Sequence, residues 1–146
     1  MSAPNERQAR AVPPAELFKA IADETRLRIL GLLLHAGESL CVCEMVDALE
    51  LPQYQVSRQL SILKRAEIVS VRKSGTWAYY KINADNEAFT AISKPMQELL
   101  KDEVFIADRV RLDRRLALRE RGRCVVGFGD EQPAVGAGWA PTEATR

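Results

Sequence analysis

The sequence has a single histidine, few cysteines and no long apolar run. With His35 alone, the chain has little material for an imidazole-based metal site or for the base that a thiol enzyme needs. No apolar stretch approaches the ~20 residues of a membrane-spanning helix, and residues 1–14 lack the apolar core of a signal peptide. We therefore expect a cytoplasmic protein that is not an enzyme and makes no membrane contact. In that compartment thiols stay reduced.

The charged residues are distributed unevenly along the 146 residues. The net charge is only +1, yet residues 51–82 hold six Lys and Arg against one Asp and Glu. A hydrophobic fraction of 47% supports one packed domain. A short basic segment in such a domain is typical of a surface that binds a polyanion, although a solvated basic face gives the same pattern.

The apolar spacing in the first two-thirds of the chain predicts four helices and a hairpin. Helices are expected over residues 15–22, 25–35, 41–49 and 53–66, with Gly37 ending the second and Pro52 in the turn before the fourth. Two short helices joined by a short turn form a helix-turn-helix pattern. Residues 68–72 and 76–82 are rich in β-branched and aromatic side chains around Ser74-Gly75, which predicts a β-hairpin.

The last third predicts a helix that needs a partner. Asp85 is the expected cap, Pro95 is expected to divide the helix, and beyond it an apolar stripe runs along Met96, Leu99, Leu100, Val104, Ala107 and Val110. A second copy of the chain is a common partner for such a stripe. The expected domains are a flexible arm (residues 1–13), a DNA-binding and dimerisation domain (14–122) and a tail carrying Cys124 (123–146).

The helix predicted over residues 53–66 has a polar face suited to DNA. If Val56, Leu60 and Leu63 face the core, a rotation of about 100° per residue turns the polar positions outward. Arginine and glutamine can read base edges, and hydroxyls and lysines can contact phosphates. An ordinary solvated helix face is the alternative. The candidate DNA-contacting residues, including two in the hairpin, are Gln53, Tyr54, Gln55, Ser57, Arg58, Ser61, Lys64, Arg65, Arg72 and Lys73.

Four stretches in this order resemble the ArsR (ArsR/SmtB) family of metal-responsive repressors. They are LFKAIADETRLRIL (17–30), LCVCE (40–44), VSRQL (56–60) and GTWAYY (75–80). Glu24 and Gln59 depart from the family, which often has proline and histidine there, and Gln59 bears on operator preference. The resemblance implies a winged helix-turn-helix fold, mainly α with a β-hairpin wing. It also implies a homodimer formed by the first and last helices, binding to double-stranded operator DNA without a cofactor, and release by an effector.

The segment Leu40-Cys41-Val42-Cys43-Glu44 resembles the sensing motif of the arsenite-responsive branch of that family. Thiolates select soft ions, and arsenite and antimonite bind three sulfurs. Residues i and i+2 diverge by about 200° on a helix, so an ion held by Cys41 and Cys43 should favour an unwound or re-aimed helix start. A third cysteine of the family pattern is replaced by Val46. We therefore predict a metalloid site of Cys41, Cys43 and Cys124, with Cys124 from its own or the other subunit.

Other interpretations of the thiols remain open. Cys41 and Cys43 could be small buried hydrophobes, and Cys124 a free tail cysteine. The thiols could form a redox switch, although a disulfide between residues i and i+2 would be strained, or they could bind cadmium, or zinc completed by a water. A winged domain that binds protein instead of DNA is a further alternative, which the basic segment disfavours.

Overall fold

The computed structural model describes residues 12–125, and the proposed arm and tail lie largely outside this range. The elements in chain order are α1 (Pro14–Ile21), α2 (Glu24–Ala36), β1 (Leu40–Cys41), α3 (Val42–Leu49), α4 (Gln53–Arg65), β2 (Val69–Ser74), β3 (Trp77–Ile82), α5 (Glu87–Leu99) and α6 (Glu103–Leu116). The fold is mainly helical with a small antiparallel sheet, as predicted. No helix in this range is long and apolar enough to cross a membrane.

The central helix, α2, has clear start and stop signals. The Asp23 carboxylate accepts the Arg26 backbone N–H at 3.1 Å, which satisfies one of the free donors of the first turn. Gly37 ends the helix with φ 67°, a conformation that glycine adopts without strain. Ile29, Leu30 and Leu32 are fully buried, so this helix lies in the core on most of its sides.

The helix-turn-helix pair is α3 and α4, and it lies where the pattern places it. Val56, Leu60 and Leu63 of α4 are fully buried, which confirms the predicted inward stripe. The hairpin of β2 and β3 follows directly, with Ser74 paired to Trp77 across a two-residue turn in which Gly75 has φ 65°. A two-residue turn of this kind favours positive φ, which glycine supplies.

The sequence analysis missed the strand β1. It pairs with β3, with Leu40 opposite Tyr80 and Cys41 opposite Tyr79, so the strand order is β1-β3-β2. Two residues are too few to show a strand periodicity. The prediction of a helix starting at Cys41 was wrong by one residue, because Cys41 has extended backbone and stands at the N-cap of α3.

Pro95 does not divide the helix that contains it. The helix α5 continues through Pro95 to Leu99, and the break falls at residues 100–102. The missing proline N–H would have bonded to the carbonyl of Ala91. Ala91 is exposed, so water can take that place. The predicted cap at Asp85 is also wrong, since the Asn86 side chain accepts the Phe89 N–H at 3.0 Å.

Within the protomer the predicted stripe is buried at Met96 and Leu100 but not along the last helix. Within the protomer α6 packs on α3 and α2 and buries Phe105, Asp108, Leu112 and Arg115. The inward face contains two charged residues, so hydrophobic periodicity could not identify it. Large apolar side chains are instead exposed on α1, α5 and α6: Phe18 (53% exposed), Leu99 (78%), Ile106 (47%) and Val110 (51%).

Candidate thiol site and DNA-contacting surface

Three cysteines from two separate parts of the chain meet in one cluster, here called the thiol site: Cys41, Cys43 and Cys124. The Cys41 and Cys43 sulfurs are 2.9 Å apart, and those of Cys43 and Cys124 are 3.4 Å apart. All three residues are buried, with at most 2% of their surface exposed. They form the one cluster of three or more potential metal ligands within residues 12–125.

Cys41 and Cys43 converge because they do not belong to the same helix. Cys41 ends β1 in extended backbone (φ −87°, ψ 163°), and Cys43 lies in the first turn of α3. The re-aimed helix start that a shared ion should favour is therefore already present, and no unwinding is needed. The fully buried Glu44 holds this geometry, since its Oε1 accepts the Cys41 backbone N–H at 3.0 Å.

Cys124 comes from the same chain as the other two thiols. After α6 a tight turn, closed by a β-bridge between Glu120 and Arg123, has positive φ at Arg121 and Gly122. Beyond the turn, the Cys124 backbone N–H donates to the Tyr79 hydroxyl at 3.0 Å. Tyr79 is itself the strand partner of Cys41, so one tyrosine adjoins two of the cysteine residues.

Three arginines at four-residue spacing, here called the arginine ladder, run along α6 and the turn after it: Arg111, Arg115 and Arg119. Their guanidinium groups contact α3 from its last turn to its first. Arg111 donates to the Ala48 carbonyl at 2.7 Å, and Arg115 donates to Asp47 at 2.5 Å. Arg119 donates to both Glu44 oxygens at 2.7 Å. The sequence analysis missed the ladder, although its i, i+4, i+8 spacing was a visible signal.

Two members of the ladder reach the thiol site itself. Arg115 Nη2 lies 3.5 Å from the Cys43 sulfur. Arg119 also donates to the Ser39 carbonyl at 2.8 Å and lies over the Tyr79 ring, 5.9 Å from its centroid. Arg119 therefore contacts the segment before Cys41 and also the tyrosine that anchors Cys124. Through these contacts, the end of α6 and the turn after it adjoin the surroundings of all three cysteines.

The protonation of the site follows from its burial and contacts. Burial, with hydrogen bonds from the other two cysteines, raises the pKa of Cys41 far above its ordinary value. The hydrogen bond with Cys124 raises the pKa of Cys43 as well. The Glu44 carboxylate raises the pKa of Arg119, which stays charged. The raised pKa values favour the neutral thiol form of Cys41 and Cys43 beside charged arginines.

A second buried charge cluster fixes the other end of α3. Asp108 of α6 is 1% exposed and accepts two hydrogen bonds from Arg28 of α2, both at 2.8 Å. Arg28 also donates to the Leu49 carbonyl at 2.9 Å. Carbonyls in the last turn of a helix lack partners within the helix, so these bonds stabilise the end of α3 that precedes the turn to α4.

The candidate DNA-contacting residues lie on α4 and β2. Tyr54 is 63% exposed and its ring lies 5.7 Å from the Arg58 guanidinium carbon. The Gln53 amide donates to the Ser57 hydroxyl at 3.0 Å. Gln55 and Ser57 are half-buried, whereas the other candidates are exposed: Gln53, Tyr54, Arg58, Ser61, Lys64, Arg65, Arg72 and Lys73.

Two polar residues noted in the sequence are held by internal contacts. The Gln59 amide oxygen accepts a hydrogen bond from Arg26 at 2.6 Å, so this side chain is tied to α2. His35, at the end of α2, lies 3.0 Å from Asp113 of α6 and takes no part in the thiol site. The expectation that His35 lies at a helix end is confirmed.

A helix-turn-helix pair followed by a β-hairpin wing defines a winged helix-turn-helix transcriptional regulator. Residues 23–71 match the family described as "Bacterial regulatory protein, arsR family". The chain is 54% identical over 71 residues to the uncharacterised HTH-type transcriptional regulator MJ1325 of Methanocaldococcus jannaschii, covering 49% of this chain and 79% of that protein. The chain belongs to the ArsR family of bacterial transcriptional regulators.

Other relatives and solved structures agree with this assignment. The arsenical resistance operon repressor of Escherichia coli is 42% identical over 78 residues, which cover 53% of this chain and 66% of the repressor. Reduced HlyU from Vibrio cholerae is similar in structure (TM-score 0.54, 32% identity, 60% of this chain and 88% of HlyU). The homodimeric winged helix-turn-helix domain of Mb0332 from Mycobacterium bovis is also similar in structure (TM-score 0.51, 29% identity, 69% of this chain and 94% of that domain).

Proposed function

We propose that this regulator is a cytoplasmic homodimer that represses transcription and leaves its operator when As(III) or Sb(III) binds Cys41, Cys43 and Cys124. The observation that carries the proposal is the convergence of three buried sulfurs in one chain. The chain is also similar to an arsenical resistance operon repressor. The proposed domain, residues 14–122, then holds two of the ligands, and Cys124 docks against it from the start of the tail.

The chemistry of arsenite suits a site of three thiols. Near neutral pH arsenite is the uncharged acid As(OH)3, and each thiol replaces one hydroxyl. Three As–S bonds form, three As–O bonds break, and the three thiol protons leave with the hydroxyls as three waters. Soft thiolate ligands favour such an ion over harder ones.

DNA binding is proposed to use α4 and the hairpin. The second helix of a helix-turn-helix pair lies in the major groove, with its first residues at the base edges. Arg58 and Gln55 suit base contacts, and Lys64, Arg72 and Lys73 suit phosphates. The exposed apolar residues of α1, α5 and α6 would be covered in the dimer, which aligns two copies of α4 with two half-sites.

The helix α3 provides the connection between the two sites. Its first turn carries Cys43 and Glu44, and its last turn leads into α4. If As(III) binds one placement of α3 more tightly than the placement that suits DNA, the ligand lowers DNA affinity by the ratio of those two affinities. The arginine ladder ties any such movement to α6.

The proposal is tested by gel shift on the DNA upstream of the gene, with sodium arsenite, potassium antimonyl tartrate, cadmium and zinc each titrated in. Arsenite and antimonite should release the DNA. X-ray absorption at the arsenic edge should show three sulfurs and no oxygen around arsenic. Retention of the DNA at saturating arsenite, or an arsenic atom with oxygen ligands, would contradict the proposal.

A redox switch is a second candidate, favoured by the 3.4 Å separation of the Cys43 and Cys124 sulfurs. Unlike Cys41 and Cys43, these residues are far apart in sequence, so a disulfide between them avoids the i, i+2 strain. A peroxide would take two electrons and two protons from the two thiols and leave one disulfide and two waters. If hydrogen peroxide releases the DNA and arsenite at the same concentrations does not, the redox switch is favoured over the arsenite sensor.

A further inference from the structure

Each arginine that reaches the thiol site is paired with at least one carboxylate. Arg115 lies 3.5 Å from the Cys43 sulfur and donates to Asp47 at 2.5 Å. Arg119 donates to both oxygens of Glu44 and also to the exposed Glu38 at 3.1 Å, so no positive charge is left over there. Each of the two ladder arginines at the sulfurs is therefore paired with a carboxylate of α3.

Ligands of the thiol site differ in the charge they leave behind. As(OH)3 and three thiols give a neutral trithiolate and three waters, so the charge of the site does not change. A divalent cation that displaces three thiol protons gives a complex with one net negative charge, while the protons go to solvent. A bound water on zinc does not alter this count.

Burial raises the free energy of a complex that carries this one negative charge. The sulfurs are almost wholly removed from water, and an uncompensated ion in such a position loses solvation that only a nearby opposite charge can replace. The nearest cation, Arg115, already has Asp47 as its counter-ion. No net positive charge in these pairs compensates a trithiolate complex of a divalent metal.

We infer that the Arg115–Asp47 pair is a selectivity element, which keeps the thiol site electrically balanced and so favours neutral trivalent metalloids over divalent cations. The inference rests on the proposed function, and it names a specificity that the cysteines alone do not provide. Three thiolates by themselves bind cadmium and zinc as well as arsenic. Arg115 and Asp47 act through charge on the sulfurs and need not touch the ligand.

The test changes the charge in both directions and uses the metal-free dimer at one fixed pH. Asp47→Asn leaves the Arg115 charge without its carboxylate, so affinity for Cd²⁺ should rise at least about fivefold, the effect of one unit charge about 4 Å away at the dielectric constant of water, and more at the lower dielectric constant of a buried site. Arg115→Gln leaves the Asp47 charge instead, so Cd²⁺ affinity should fall by about the same factor. Arsenite affinity should change less than about threefold in either variant, because its adduct is neutral.

The measurements are titrations of cadmium against a chelator of known affinity, and protection of the three thiols from alkylation by sodium arsenite. Arg115→Lys keeps the charge and should keep the wild-type ratio of the two affinities. Asp113→Asn is the matched control: it removes the same charge from an exposed position of α6 and should change neither affinity.

A shift of both affinities in the same direction by the same factor would overturn the inference, since it would make the pair merely structural. So would a Cd²⁺ affinity that Asp47→Asn leaves unchanged. Failure of the proposed function would look different, because wild-type protein would then not release DNA with arsenite. The Cd²⁺ titrations of the two charge variants would still decide the inference in that case.

Discussion

The thiol site and the exposed face of α4 differ in how their side chains are held. At the thiol site, contacts join residues far apart in sequence: Cys43 to Cys124, Arg119 to Glu44, Tyr79 to Cys124. On the exposed face of α4, the contacts given above are local, between Gln53 and Ser57 or Arg58 and Tyr54. A site that must recognise a small ion needs fixed ligands, whereas side chains that meet DNA can be ordered by the DNA itself. Substitutions should therefore have different consequences in the two regions.

The largest effect is expected at the two adjacent cysteines. Cys41→Ser and Cys43→Ser each leave Cys124 and one sulfur of the adjacent pair, so As(III) can no longer join β1 to α3. The factor by which arsenite lowers DNA affinity, typically about 5- to 150-fold for an allosteric effector, should then fall to near 1. DNA affinity without arsenite should not change, because neither residue lies on the exposed face of α4. Gel shifts with and without arsenite measure both quantities. Wild-type release in either variant would remove that residue from the site.

Removal of a buried charge should affect stability instead. Asp108→Asn leaves Arg28 and Arg111 without their shared carboxylate in a nearly inaccessible position. Loss of one partner of a buried ion pair costs about 3–5 kcal/mol, which urea denaturation of the dimer would measure at fixed protein concentration. The comparison is Glu16→Gln, which removes an exposed carboxylate from a surface pair and should cost less than about 1 kcal/mol. Equal costs would show that burial does not distinguish the two carboxylates.

On α4, a substitution should weaken DNA binding and leave stability almost unchanged. Arg58→Ala should cost about 1–3 kcal/mol of operator binding if Arg58 contacts a base. Its unfolding free energy should change by less than about 0.5 kcal/mol, since Arg58 is exposed. Fluorescence anisotropy on operator and on unrelated DNA at equal salt separates base contacts from phosphate contacts. Unchanged operator affinity would show that this face of α4 does not bind DNA.

The smallest effect in this series belongs to Cys124. Cys124→Ser keeps the Cys41–Cys43 pair, so release should still occur but need about tenfold more arsenite, the equivalent of about 1.4 kcal/mol. X-ray absorption should then show two sulfurs and one oxygen at arsenic. If the variant responds like the wild type, Cys124 is incidental and the ligand set is two thiolates with oxygen.

Local patterns predicted the parts of this protein that local forces determine. The inward stripe of α4, the Gly37 stop and the hairpin turn each depend on residues within a few positions of one another. Three features depend on distant partners and were missed or mistaken: β1, the inward face of α6 and the arginine ladder. Asp108 and Arg115 are buried because Arg28 and Asp47 meet them, and hydrophobic periodicity assigns charged residues to the surface. The clustering of the three cysteines was predicted, but the charges that surround them were not.

The placement of Tyr79 in the middle strand has a mechanical consequence. Tyr79 pairs with Cys41 on one side and with Arg72 on the other, so these three backbones lie in one row across the sheet. Two strand spacings of about 4.8 Å place the cysteine backbone roughly 10 Å from that of the wing arginine. A displacement of the backbone at Cys41 therefore reaches the wing through two ladders of peptide hydrogen bonds. The sheet is a short, stiff connection between the thiol site and the wing, parallel to the longer one through α3 and α4.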